Sequence, residues 1–297
     1  MTEIREVAEL LDGAVDCYIH AAPDLLPRRV DDLALATESQ AAGLAAVIHR
    51  HHYASTAERS QLARDATGFP VLGAILLNDP VGGLNPTAVR LALEMSAEWV
   101  SMPTLDALAF RRARATAAPT AFDDRLAFGP GQLAATDDTG ALTSATSEII
   151  DLVVEAGVPL NLGYLGVAEM IAVARAASER GHRRLVVTNA LLVGERLGEL
   201  LAIPGMFVEV TSYSVHPDGL GGANAEAGVE RNVELIRRVG PDRVVLSSDG
   251  GMAGSPPPAE ILGWAVGKYL RAGIDAADVR AMVADNPRRL LRATALG

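Results

Sequence analysis

The sequence predicts an α/β fold, a (β/α)8 TIM barrel in one domain spanning residues 1–297. Three observations predict it. Short apolar runs recur at 14–19, 44–48, 71–77, 99–102, 159–162, 185–188, 206–211 and 243–247. They are rich in Val, Ile and Leu and do not alternate with polar residues, the pattern of strands buried on both faces. Segments with helical spacing separate them, at 29–42, 55–66, 87–96, 144–156, 166–180, 193–201 and 228–239. Finally, no shift in composition marks a second domain, and 297 residues fall within the range of one barrel.

The elements follow in order. With 49% hydrophobic but only 4% aromatic residues, the core has to be filled by Ala, Val, Leu and Ile. The helical segment at 87–96 opens at Asn85, an N-cap, with Pro86 at the first helical position. Two places break the alternation. Residues 118–143 form an insertion after strand four, ending in a small hairpin that turns at Asp138-Thr-Gly140. Residues 212–227 form a Gly-rich loop after strand seven. Both would overhang the end of the barrel where active sites sit. Extra C-terminal helices follow around 258–271 and 276–284, and one more starts with Asn286 as N-cap and Pro287 at its first position.

The formal net charge of −11, with no long basic run, argues against nucleic acid as a partner. Cys17 is the single cysteine, so no intrachain disulfide forms. The first residues carry no signal-peptide pattern, and no apolar run reaches the roughly 18 residues of a membrane span. The expected setting is the cytoplasm, with a small-molecule substrate and no membrane partner. Ala/Leu-rich helix faces fit a homodimer. Lys268 is the only lysine, in keeping with a high-GC genome.

Residues at the C-terminal ends of barrel strands face the catalytic mouth. Strand one ends in Asp16-Cys-Tyr-Ile-His20, strand two in His49-Arg-His-His-Tyr53 and strand three in Asn78-Asp79. Strand four ends in Met102-Pro-Thr-Leu-Asp106, strand five in Asn161-Leu-Gly-Tyr164 and strand six in Thr188-Asn189. Strand seven ends in Glu209-Val-Thr-Ser-Tyr213 and strand eight in Ser247-Ser-Asp249. Four of the six histidines lie at two of these ends.

The stretches Asp16 to Asp24, Pro27-Arg-Arg-Val-Asp-Asp32, His52-Tyr53, Val81-Gly-Gly-Leu-Asn-Pro86, Ser101-Met-Pro-Thr104, Ser247-Ser-Asp249 and Asp285-Asn-Pro-Arg288 occur in an order that spans nearly the whole chain. On these, the chain resembles the amidohydrolase superfamily of metal-dependent hydrolases, and within it an amidohydrolase-like family that begins Asp-x-His-x-His. The resemblance implies an amidohydrolase-like barrel and hydrolytic chemistry. It also implies a ligand set that this chain only partly keeps. Tyr18, Tyr164 and Asn189 stand where the superfamily has histidines, and no lysine ends strand four. His20 and Asp249 remain. A hydrolytic zinc wants at least three protein ligands, so the expectation is no cofactor. The alternative is one Zn2+ held by His20, His52 and Asp249.

The expected function is hydrolysis of a C–N or C–O bond in a small polar molecule, or a related lyase or cyclase step, in specialised metabolism. His20, Asp249, His52, Tyr18 and Tyr164 are the catalytic candidates; Arg50, Asn189, Glu209 and Tyr213 are the substrate-binding ones. Several have a structural counterpart: Tyr18 and Tyr164 fill volume, Arg50 pairs with Asp79 or Asp106, Glu209 is a wall residue paired to Arg50, and His52 is a plain loop residue; Asp16, outside both sets, caps or braces the first turn. His49 is either a hydrogen-bonded core histidine or a site residue. His182 reads as an inert residue of a surface connection and His216 as a loop residue. A catalytically inactive ligand-binding barrel is the remaining alternative.

Overall fold

The computed structural model describes residues 2–115, 131–188 and 190–296. Eight parallel strands form one sheet in the order β1 to β8: Val15–Ile19, Ala46–His49, Val71–Leu76, Ala97–Ser101, Leu160–Asn161, Leu185–Thr188, Met206–Thr211 and Val244–Ser247. Helices alternate with the strands, and Ile19 bridges Gly250 in parallel just beyond β8, so the sheet turns back on its first strand. This is the (β/α)8 barrel. Every residue of all eight strands is buried, as expected for strands filled on one side and covered by helices on the other.

The backbone contacts gather into two compact units. The first comprises Met1–His49, Arg59–Leu72 and Val208–Gly297; the second comprises Arg50–Glu58 and Gly73–Phe207. In the first, β1 pairs with β2 from Val15↔Ala46 to Ile19↔His49, with a shift of register between Asp16 and Ile19. β7 and β8 pair evenly from Val208↔Val244 to Thr211↔Ser247. The helix Asp32–Ala41 starts three residues later than its periodicity suggests. Arg29 and Val30 are drawn into hydrogen bonds with Gly251 and Ala22, and Asp31 caps the helix by accepting from the Ala34 N–H.

In the second unit, β3 to β6 run side by side, and the β3–β4 register shifts between Gly73 and Ala74. A Cβ at Gly73 would collide with the backbone of Ala57, so only glycine lets the helix Ala57–Thr67 begin so close to its strand. Asn85 and Pro86 open the helix Pro86–Glu94 as the sequence indicates. The hairpin is present as a bridge, Thr136↔Leu142, around a turn from Asp137 to Gly140. The earlier part of the insertion, 116–130, lies outside the described residues, as does Asn189.

Two expectations are corrected. Asn286 is not an N-cap: the helix runs through a π turn, Ala281–Asp285, into Asn286–Leu290, and the Asn286 amide donates to the carbonyls of Pro241 and Val244. Its side chain is spent on supporting the start of β8. The helical segment at 193–201 is a 3-10 turn, Ala190–Arg196, broken at Gly194, followed by the short helix Leu197–Leu201. Among the described residues, no helix is long and apolar enough to cross a membrane.

Candidate active site

In the first unit the ends of β1 and β8 are tied together by one buried carboxylate. Asp16 Oδ1 accepts the N–H of Tyr18 at 3.2 Å and that of Ser248 at 2.9 Å. Complete burial pushes the Asp16 carboxyl up to about 7, against these hydrogen bonds, and the nearby Glu209 charge pushes the same way. Glu209 is itself buried and accepts from the Ser247 hydroxyl at 2.9 Å.

That tie sets up the residues one step further on. Asp249 donates its N–H to the Tyr18 carbonyl at 2.8 Å and sits in the left-handed region, at φ 54°. Aspartate tolerates this conformation better than most residues, but it still costs energy, and such residues gather at functional sites. His20 donates its N–H to Gly250 at 2.9 Å, and its Nε2 comes within 3.5 Å of Asp249 Oδ1. The His20 side chain is buried, whereas that of Asp249 is 23% exposed, so the pair can be reached from solvent. The Tyr18 ring lies 5.3 Å from the His20 imidazole. Tyr213 donates its N–H to Ser248 at 2.8 Å. Its phenol is pushed above the usual range by burial first and then by the Asp249 charge, with Arg28 partly opposing.

His49 holds the loop that follows His20. Its Nε2 accepts the Ala21 N–H at 3.3 Å, which forces the proton onto Nδ1, 2.7 Å from Asp32 Oδ1. Asp32 also takes Arg59 Nε at 2.5 Å, and Arg59 donates to the carbonyls of Ala22 and Pro23. Burial keeps the His49 imidazole below its ordinary value. Burial opposes ionisation of Asp32, yet His49 and Arg59 together hold it below the ordinary value. Cys17 is buried in the core, as strand alternation suggests. His182 is buried rather than superficial, with Nε2 3.2 Å from the Arg184 carbonyl. His216 packs edge-on to Trp264.

In the second unit His52, Asn78 and Thr104 form a network. His52 Nδ1 lies 3.0 Å from Thr104 Oγ1, which takes an Asn78 amide N–H at 2.8 Å. Asn78 also donates to the His52 carbonyl and accepts the Thr104 N–H. Arg50, 2% exposed, lays its guanidinium 4.1 Å from the centre of the buried Trp99 ring. Burial raises the Asp106 carboxyl above its ordinary range, and this residue accepts the Asp79 N–H. Tyr164 packs on Phe110 and lines a largely apolar cavity of about 190 Å³ with Leu165, Met170 and Val193.

The structure thus brings Tyr18, His20, Tyr213 and Asp249 together at the β1 and β8 ends, with Asp16 and Glu209 bracing them. The His49–Asp32–Arg59 chain was not legible as a unit in the sequence. The one signal for it was a histidine late in an apolar run. Among the described residues no group of three or more His, Cys, Asp or Glu side chains is placed to hold an ion. His20 and Asp249 make two, with the Tyr18 phenol beside them, and this donor set does not fit a hydrolytic zinc.

Solved structures with this architecture include a protein assigned as a 2-pyrone-4,6-dicarboxylic acid hydrolase from Pseudomonas putida. It is 15% identical with a TM-score of 0.57, over 94% of this chain and 97% of that one. A triple mutant of an organophosphorus hydrolase from Deinococcus radiodurans matches at 15% identity and TM-score 0.55, over 95% of this chain and 94% of that one. An amidohydrolase from Pseudomonas aeruginosa matches at 15% and 0.50, over 96% and 98%. At such identities the likeness speaks for the fold alone, the (β/α)8 barrel. No curated protein matches the sequence. The model of a family of unknown function, DUF6282, matches residues 13–208, more than half of the chain, and the chain belongs to that family.

Proposed function

We propose that the chain is a hydrolase of small polar molecules that works through His20 and Asp249 without a binuclear metal centre. The observation that carries this reading is the approach of His20 Nε2 to Asp249 Oδ1, 3.5 Å apart, at a strained, solvent-reachable turn beyond β8. Hydrogen bonds between catalytic groups are often long until substrate binds. A small adjustment makes Asp249 the acceptor of an Nε2–H, leaving the lone pair on Nδ1 of His20. His20 then takes a proton from water, and the water oxygen attacks the carbon of a C–N or C–O bond. The proton is passed on to the departing nitrogen or oxygen. Tyr213 keeps its proton at neutral pH and can donate to the oxygen on which negative charge develops. A lyase or cyclase step would use the same proton transfers without the water.

The test is turnover of a panel of lactones, esters and amides by metal-analysed protein, with and without chelator. His20→Ala and Asp249→Asn should each lower kcat by roughly 10²–10⁴-fold, the range for lost acid–base help, while chelation leaves the rate unchanged. Stoichiometric zinc whose removal abolishes turnover would favour the reading in which one metal ion is retained. Binding without turnover on any member of the panel would favour the inactive barrel.

A further inference from the structure

The loop between His20 and Asp31 carries a buried cation that the His20–Asp249 chemistry does not use. Its backbone is fixed along the segment that follows Asp249: Arg28 bridges Met252, Arg29 donates to the Gly251 carbonyl at 2.9 Å, and Ala253 donates to Pro27 at 3.0 Å. The Arg28 side chain is 2% exposed, and its Nε donates to Asp24 Oδ2 at 2.6 Å. Nη1 is given only the Met252 thioether, at 3.0 Å, a weak acceptor. Nη2 has no hydrogen-bond partner among the described residues.

A guanidinium has five N–H donors in a planar fork, and only one of those of Arg28 meets a strong acceptor, Asp24. The unmet edge, Nη1 and Nη2, is the one that matches two oxygens of a carboxylate or phosphate. The Arg28 backbone bridges Met252, three residues beyond Asp249, and its charge opposes the rise of the Tyr213 phenol, so the guanidinium lies near the groups around the reaction centre.

We propose that Arg28 is an oxyanion-binding subsite, taking the carboxylate or phosphate end of a small substrate through its free Nη edge, with Asp24 holding the fork in place. This rests on the reading of His20 and Asp249 as the reaction centre, but binding can be measured without turnover.

Calorimetric titration of glutarate, inorganic phosphate and the neutral diamide glutaramide into the full chain tests it. Removing Arg28 alone would leave Asp24 buried without its cation, so the informative variant is the neutral pair Asp24→Asn with Arg28→Met, checked by its melting temperature. The wild type should bind glutarate or phosphate but not glutaramide, and the tighter anion names the oxyanion. The double variant should lose at least about tenfold in affinity, as expected for a charged hydrogen-bonding pair. Arg28→Lys, which keeps charge but not the fork, should fall between. His20→Ala should bind the anion as the wild type does. Equal affinity in wild type and double variant, or binding of neither anion by the wild type, overturns the subsite whether or not a turnover assay succeeds. Anion binding that depends on Arg28, found alongside no turnover on any substrate, would keep the subsite and sink the hydrolase reading alone.

Discussion

Replacing Asp16 by asparagine should remove one pH dependence of stability and leave the fold intact. Asp16 is fully buried, and asparagine keeps the Oδ1 acceptor for the N–H groups of Tyr18 and Ser248. The carboxyl titrates at about 7 in the folded chain against 3.8 ordinarily. Between those values the folded state holds a proton that the unfolded state has released, so stability falls as pH rises through the window and is flat above it. At about 1.4 kcal/mol for each pH unit, the full difference is ~4 kcal/mol, and the part between pH 5 and 7 is ~3 kcal/mol. Asp16→Asn has no such slope. Its stability relative to wild type should therefore rise by about 3 kcal/mol between pH 5 and pH 8, or roughly 6 °C in Tm for a chain of this size. Histidines titrating in the same range cancel in the comparison. Thermal melts of both proteins at half-unit steps from pH 5 to pH 8 supply the measurement. Parallel curves would show that Asp16 is ionised in the folded state throughout, and the account of its burial would be wrong.

The His49 hub has the opposite sign. The buried imidazole stays neutral while the unfolded chain gains a proton below about 6.5, so it contributes a loss of stability as pH falls below that value. His49→Leu should cost about 2–4 kcal/mol at neutral pH by stranding the Ala21 N–H and one side of Asp32. It should also flatten the acid side of the melting curve; a steeper acid slope would contradict the assignment. Gly251 has φ 119°, and a Cβ there would run into the His20 carbonyl. Gly251→Ala should therefore lower Tm and displace His20 from Asp249. Gly254→Ala, at φ 82° with open space around it, should cost only about 1 kcal/mol of backbone strain. Equal losses in melting temperature and turnover from the two substitutions would remove the special place given to the Gly251 contact.

The sequence by itself determined what depends on local pattern. Buried runs of Val, Ile and Leu marked the strands, because a strand covered on both faces has no polar side to show. Asn85-Pro86 marked a helix start, and Asp138-Thr-Gly140 a turn, since each choice is made within a few residues. Strand ends pointed to His20 and Asp249 because a barrel puts those ends at its mouth. Tertiary structure alone decided the rest. The Asp16 clamp joins residues 232 apart in the chain. The His49 proton is placed by Ala21 and Asp32, Asn286 is taken from its cap position by β8, and Asp249 is held in a left-handed turn by Tyr18. A hydrogen bond between distant segments leaves no periodicity in either one, so which buried polar group finds which partner is settled only when the strands close around it.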